Sequence, residues 1–563
     1  MILDIETNGL KPSVIWCVVV KHKGEIYEFT DQVAFKAFLV QNPNERIYAH
    51  NGLNYDYPIL ERLWGVSWDG FNLRDTLVLS RLYNPSLAGG HSLKVWGERL
   101  GFPKGEYSDW SKFTPEMLSY CVQDVEVTDK LLEKIGDPEV YAAELEFKVA
   151  EIMGQQQENG WLLDQELCWD LMGELKQRKM DLEDEVHRRF RPLATFIKEI
   201  TPKINKDGSM SVVGLKFLED PSVVGSVFSR IEYPEFNLGS RQQIGRYLKH
   251  FGWEPTKFTE TGQAIMDERV LEAVTIPEAQ LIAEYLMVEK RIAMIQSWLD
   301  NVGEDGRVHG YVNPIGAITG RMSHSSPNVA QVTAKGKPYG ARMRQCWTVG
   351  EGRRLVGMDA SSLELRMLAH YMNDAAYLEE VLNGDIHTAN QKAAGLESRD
   401  DAKTFIYAFL YGAGDAKIGS IVGGGSSAGK HLKEKFLRNT PALAGLRDRV
   451  SQAAKRGWLK GLDGRRINIR SQYAALNTLL HGGGAVVMKE AMLLVHERAK
   501  ELNVDFMQVG NIHDELQFDT NENHVILMEQ AAKWGMEQAG IKLNLRCPMQ
   551  GDVNIGSNWG ETH

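Results

Sequence analysis

The chain has 563 residues, of which 43% are hydrophobic and 25% charged, with a net charge of −11 and five cysteines. Those proportions fit a globular protein of about three or four domains and exclude a collagen-like or disordered chain. The cysteines (Cys17, Cys121, Cys168, Cys346, Cys547) are scattered and form no CxxC pair, which excludes a disulfide framework and points to a reducing compartment.

The opening "MILDIETNGL" has no basic region before an apolar core and is not read as a signal peptide. No run reaches about 18 uninterrupted apolar residues, so no membrane span is expected. In "LDIET", Asp4 and Glu6 stand two apart on a strand and therefore face one side. "SVIWCVVVKHKGEIYEFT" reads as two strands joined by a turn at Lys23-Gly24. "HNGLNYDYPIL" supplies Asp56 after a turn. "RDTLVLSRLY" and "SLKVWGERLG" read as helices, and "YCVQDVEVTDKLL" puts Tyr120 and Asp124 four apart on one helical face. Four acids from three separated segments can enclose a pair of divalent ions, whereas an isolated DxE is a weak signal.

From about 139 to 195 the pattern is long and helical: "EVYAAELEFKVAEIMGQQQENG", then "DQELCWDLMGELKQRKMDLEDEVHRRF". Residues 196–240 break into turns around Lys206-Asp207-Gly208, Pro221 and Pro234, which predicts an inserted module between helices. Helices resume with "SRQQIGRYLKHFG" and "IPEAQLIAEYLMVEKRIAMIQSWLDNV". "LVGM" reads as a buried strand ending at Asp359, and "SLELRMLAHYM" as the helix that follows, with Ser361 or Ser362 near its start. An acid at a strand end is held rigidly yet opens to solvent, which suits it to a cation. In "RDDAKTFIYAFLYGAG" (399–414), Arg399, Lys403, Tyr407 and Tyr411 recur every four residues on one helical face. Two cations and two rings on one stripe match the phosphates, sugar and base of a nucleoside triphosphate. "GGGSSAG" (423–429) is expected to be a flexible loop. Residues 385–470 carry 16 Lys+Arg against 8 Asp+Glu, so a basic region stands inside an acidic chain, as polyanion binding requires.

"QVGNIHDELQFD" places Asp514 and Glu515 side by side in an apparent half-buried hairpin. Like charges are disfavoured there unless something positive joins them. Asp359 and Asp514 would together ligate two magnesium ions. Each of these features alone has a bland reading: a helix cap for Asp359, a turn for "HDEL", an amphipathic edge for the stripe. Their order along the chain is not generic.

"DASSLELR", "RDDAKTFIYAFLYGAG" and "HDE", in this order, resemble the three signature motifs of family A DNA polymerases, and within that family the replicative enzymes of short-tailed phages. The likeness extends through "GAITGRMSHSSPNVAQV", "NGDIHTANQ", "KGLDGRR" and "LNTLL". It implies an α/β multidomain fold: a ribonuclease-H-like exonuclease domain, then a right-hand polymerase whose palm holds an antiparallel sheet, with helical fingers and thumb. The expected boundaries are 1–137 exonuclease, 138–304 thumb with an inserted module at about 196–240, 305–382 palm, 383–474 fingers and 475–563 the rest of the palm.

The resemblance also implies roles. Asp359 and Asp514, helped by the Ala360 carbonyl, would bind Mg2+, with Mn2+ able to substitute, and Glu515 would lie near the primer terminus. Arg399, Lys403 and His387 would bind the triphosphate, and Tyr407 would stack beside sugar and base. Glu364 with Tyr411 would crowd the 2′ position and exclude ribonucleotides. Arg321, Gln331 and His513 would touch the minor-groove side of the primer–template, and His481, which stands where the family has Gln and can still donate a hydrogen bond, would bind DNA. Ala408 replaces a Gly of the phage relative. Asp4, Glu6, Asp56 and Asp124 would hold two metal ions of a 3′→5′ proofreading exonuclease, with Tyr120 orienting the attacking water. Asp4 lies so near the start that no flap-nuclease domain is expected ahead of it.

The implied activity is DNA-templated DNA synthesis from dNTPs on primer–template DNA, in the cytoplasm of an infected bacterium and beside a phage helicase–primase and single-stranded-DNA-binding protein. In the coliphage relative a basic insertion between thumb helices recruits host thioredoxin. Here that region is shorter, with Lys198, Lys203, Lys206, Lys216 and Arg230 its only basic residues, so thioredoxin, another partner and a self-contained clamp all stay open. Of the rivals, a single-subunit RNA polymerase is opposed by Glu364 and the exonuclease motifs. A silent DNA-binding scaffold is opposed by the intact acids, and a repair enzyme stays open.

Overall fold

A computed structural model describes residues 1–138, 140–201, 204–209, 227–255, 258–259, 262, 264–265, 270–271 and 274–563. The chain divides into two compact units, Met1–Asp164 with Asn301–His563, and Gln165–Asp300.

The first unit opens with a five-stranded sheet, Ile2–Thr7, Ile15–His22, Glu25–Phe29, Arg46–Ala49 and Asn72–Asp75, in the spatial order third, second, first, fourth, fifth. The first three strands form an antiparallel meander, with the turn at Lys23-Gly24 as predicted. The last two pair in parallel beside the first. Val18, Val19 and Val20 are all within 1% of full burial, so both faces of the sheet are covered, and β-branched side chains suit such a strand. The helix Pro115–Ile135 lies against the first two strands. The Thr114 hydroxyl accepts from Met117 N at 3.1 Å, Pro115 fits the first turn, and Gly136 at φ 68 ends the helix.

A second sheet of the same unit is wholly antiparallel. Its strands lie in the order Phe506–Ile512, Glu515–Asn521, Arg353–Ala360, Gly551–Gly556. Behind it pack the helices Ala475–Glu501 and Val525–Lys542. The stretch Gln472–Glu501 is long and apolar enough to cross a membrane, yet 94% of its apolar window is buried inside the protein. That helix buries Lys489, whose Nζ donates to Glu146 Oε1 at 2.5 Å and to the Gly320 carbonyl at 2.8 Å. Arg465 joins Glu146 at 2.6 Å and Asp463 at 2.6 Å, so two buried cations share two buried carboxylates. Removing one partner of such a set costs about 3–5 kcal/mol, because a buried charge is stranded.

Helices Ile386–Ala394, Arg399–Leu410, Asp415–Ile421, Ser426–Asn439 and Pro441–Ala454 follow the strand Arg353–Ala360. The loop expected over 423–429 is corrected here: from Ser426 onward it is helix. Gly429 is buried where a Cβ would stand 1.9 Å from the Asp415 carbonyl oxygen, so the glycine serves close helix packing rather than mobility.

In the second unit, the helices Gln165–Arg189 and Pro277–Leu299 pack together. Arg178 reaches Glu284 through two bonds of 2.7 and 2.8 Å, and Lys179 reaches Glu289 at 3.0 Å. Phe190 stacks on Phe236 at 4.9 Å, beside Tyr247 of the helix Arg241–His250. The module read as turns over 196–240 contains an antiparallel hairpin, Thr195–Ile200 with Phe228–Glu232. Turn residues inside the segment hid the strand pattern. Lys203, Lys216 and Pro221 of that reading lie outside the described residues.

Candidate active sites

Asp359 stands near the end of the strand Arg353–Ala360, in register with Glu515 on one side and Asp552 on the other. The hairpin Phe506–Ile512/Glu515–Asn521 turns through His513, at φ 58, and Asp514. The Ala360 amide donates to the Asp514 carbonyl at 3.0 Å, which pins the turn to the strand end and brings the two aspartates together. Burial, then Asp514 and Glu515, push the Asp359 carboxyl up to about 7. Burial, then Glu364, also push Asp514 above the usual carboxylate range. Carboxyls raised by burial and by neighbouring carboxylates in this way form a donor set that a divalent cation fits.

Glu515 is 2% exposed and tied to protein groups. Its Oε1 accepts from the Trp559 indole at 2.6 Å and from Gln517, and its Oε2 lies 2.7 Å from His563 Nδ1. It braces the sheet beneath Asp359. Its partners come from segments that nothing in "HDEL" could announce.

The stripe predicted over 399–411 exists. Arg399, Lys403 and Tyr407 lie on the helix Arg399–Leu410, and Tyr411 is its C-cap. The Ser398 hydroxyl caps the start by accepting from Asp401 N at 3.0 Å. Arg399 forks onto Asp385 at 2.6 and 3.1 Å, which holds that carboxyl well below its usual range. His387 faces Tyr407 at 6.2 Å, and burial, then Arg399 and Lys403, lower its pKa. Tyr407 and Tyr411 lie 6.5 Å apart at 26°.

The Tyr411 hydroxyl donates to Glu364 at 3.2 Å, and Arg321 approaches the same oxygen at 3.4 Å. His481 meets Tyr411 edge-on at 5.1 Å, and its Nε2 lies 3.1 Å from the Asn477 amide nitrogen. Burial, then Arg321, drive the His481 pKa down to about 4, so at neutral pH it is an uncharged hydrogen-bonding group. Lys489 holds the Gly320 carbonyl next to Arg321. His513 and Gln331 are exposed, and Gln331 ends a short turn, Val329–Gln331.

The amino-terminal acids also converge. Asp4 and Glu6 share the middle strand of the five-stranded sheet, and Asp56 Oδ1 accepts from Ile5 N at 3.2 Å between them. Asp124 faces them from the helix Pro115–Ile135. Burial first, then the neighbouring carboxylates, raise Glu6 to about 9 and Asp56 to about 7, while burial raises Asp124 to about 6. Ligand atoms of Asp4, Glu6 and Cys121 lie within 4.8 Å of one another, and the buried Asp124 Oδ1 has no hydrogen-bond partner. Repelling carboxylates and an orphaned oxygen fit a divalent ion. Tyr120 lies beside this cluster with Tyr107 at 5.9 Å and Trp110 at 5.7 Å. Sequence reasoning missed Lys104, which pairs with Asp124 and lies 4.7 Å over the Tyr120 ring. It sits in residues 102–109, a stretch without helix or strand, so no periodicity marked it.

Residues 222–561 match the sequence profile of DNA polymerase family A, and the chain belongs to that family. It is 35% identical, over the whole of both chains, to the DNA-directed DNA polymerases of Enterobacteria phage T3 and Escherichia phage T7. The alignment with the T3 enzyme runs to 707 positions against 563 residues here, so that relative carries segments this chain lacks. The fold is also that of the POL domain of Pol1 from M. smegmatis, solved in complex with DNA primer-template and dNTP. The TM-score is 0.78, with 97% of this chain and 93% of that one covered at 20% identity.

Proposed function

We propose that this family A DNA polymerase extends a primer on a DNA template at Asp359 and Asp514, and excises mispaired 3′ ends at the amino-terminal carboxylates. It does so as a bacteriophage replicase in the cytoplasm of the infected cell. The observation that carries the reading is the juxtaposition of Asp359, near a strand end, and Asp514, in a hairpin turn far away in sequence, with both carboxyls raised. In this reading residues 1–137 are the exonuclease domain, 138–304 the thumb, 305–382 with 475–563 the palm, and 383–474 the fingers.

Asp359, Asp514 and the Ala360 carbonyl would hold magnesium at one site, and Asp4, Glu6, Asp56 and Asp124 at the other. Bound there, the ion supplies a Lewis acid that lowers the pKa of the attacking oxygen and offsets charge on the phosphate. Lys403 and Arg399 offer cations to the triphosphate, Arg399 by exchanging Asp385 for phosphate oxygens. Neutral His387 offers a hydrogen bond. Tyr407 presents its ring to sugar and base. The Tyr411 hydroxyl holds Glu364 against the 2′ position, where an added hydroxyl finds no room. Arg321, His481, His513 and Gln331 face the primer–template. Tyr120, whose phenol stays protonated because burial raises its pKa, can donate to and orient water at the second site.

Asp514→Asn tests the reading. Primer extension in Mg2+ should fall by about a thousandfold, as expected for several kcal/mol of lost transition-state stabilisation. Digestion of single-stranded DNA should persist. Undiminished extension would refute the assignment.

A further inference from the structure

Lys104 stands where the amino-terminal cluster needs a positive charge. Its ammonium pairs with Asp124 Oδ2, leaving Oδ1 of the same carboxylate without a partner. Of the carboxyls with a stated value, Asp124 is the least raised, at about 6 against about 7 for Asp56 and about 9 for Glu6. Lys104 is the largest influence lowering it, which matches a counter-cation serving that one group. The backbone around Lys104 is anchored. The Gln123 amide donates to the Pro103 carbonyl at 2.9 Å, and the Trp16 indole donates to the Trp110 carbonyl at 3.0 Å. The side chain itself is 23% exposed, so the ammonium can swing outward while the segment stays in place.

We propose that Lys104 is the resident counter-cation of this cluster: it neutralises Asp124 while no divalent ion is bound, yields Asp124 to an incoming ion, and so sets the ion concentration at which the excision site fills. The inference rests on the reading of the cluster as an excision site. An ammonium on Oδ2 and a dication on Oδ1 of one carboxylate repel each other, so binding of one opposes binding of the other. Removing the ammonium therefore removes a competitor. A protein side chain of this kind is tunable in a way that a free ion is not, because its effective concentration at Asp124 is fixed by the chain.

Mn2+ binding to the full-length chain, read by electron paramagnetic resonance of the free ion at pH 8, tests this. Asp359→Asn with Asp514→Asn, present in every sample, silences the other carboxylate site. Binding should be present in that background and lost on adding Asp4→Ala with Glu6→Ala. If no such binding exists, the excision-site reading falls and the inference with it. Given binding, Lys104→Met should lower the Mn2+ Kd by about tenfold, the scale of one lost ion-pair competitor. Lys104→Arg, which keeps the charge, should stay near the parent. Equal or weaker binding by Lys104→Met overturns the inference and leaves the excision reading intact. A structure of the unsubstituted chain soaked in Mn2+ gives a second readout, independent of how the variants fold. With the ion on Asp4 and Asp124, Lys104 Nζ should lie beyond hydrogen-bond reach of Asp124. An intact Lys104–Asp124 pair beside the bound ion overturns the proposal.

Discussion

Asp359→Asn should stabilise the ion-free protein at pH 8, and by much less at pH 5. The Asp359 carboxyl rises from its ordinary 3.8 to about 7 on folding. The folded state therefore holds the proton more tightly than the unfolded chain does. The stability this contributes is complete below about pH 4 and is lost as pH rises toward 7. At pH 8 the native aspartate is ionised beside Asp514 and Glu515, and the loss is bounded at about 4 kcal/mol at 1.36 kcal/mol per pKa unit, reduced by solvent screening of this partly exposed carboxyl. At pH 5 the same linkage gives roughly 2 kcal/mol. Asparagine has no charge to bury and escapes both losses. Thermal unfolding in EDTA at the two pH values measures the effect. The variant should melt several degrees above the native chain at pH 8, with the gap at least halved at pH 5. Adding Mg2+ should then raise the native midpoint at pH 8 and leave the variant nearly unmoved. A variant no more stable than native in EDTA at pH 8, or a gap independent of pH, would refute the argument that Asp359 is held in electrostatic tension.

Glu364→Ala should relax discrimination against ribonucleotides by about 10–100-fold, because the group that denies space to a 2′-hydroxyl is gone. Competition between dGTP and GTP in single-nucleotide extension reads this, and unchanged selectivity would remove Glu364 from the pocket. Asp4→Ala with Glu6→Ala should abolish digestion of single-stranded DNA and spare primer extension, and undiminished digestion would count against the second site. Glu146→Gln should cost about 3–5 kcal/mol in stability, because Lys489 and Arg465 lose their shared carboxylate, and an unchanged melting midpoint would contradict the buried network.

Much of the candidate polymerase-type site was legible because several of its residues sit at positions that local rules mark. Asp359 ends a buried strand, Asp514 occupies a hairpin turn, and Arg399, Lys403, Tyr407 and Tyr411 follow the helical repeat of four. Asp4 and Glu6 obey the period of two. The rest depends on contacts between segments that are not neighbours in the sequence. The bracing of Glu515 by Trp559 and His563 has no local sign, nor has the burial of Lys489 against Glu146. Lys104 lies in a stretch without helix or strand, where periodicity carries no information. Glycines misled the reading at 423–429: Gly429 permits helix–helix contact, and composition alone cannot tell that use from a flexible loop. The same ambiguity hid the strand pair in the 196–240 module, where Gly, Pro, Asp and Asn read as turns.

The most direct test of the central claim is anomalous scattering from Mn2+ in a crystal of the chain with primer–template and an incoming nucleotide. Manganese peaks between the carboxylates of Asp359 and Asp514, within about 2.0–2.6 Å of oxygens from both, are the predicted result. Peaks elsewhere, with those two side chains apart and no ion between them, would contradict it.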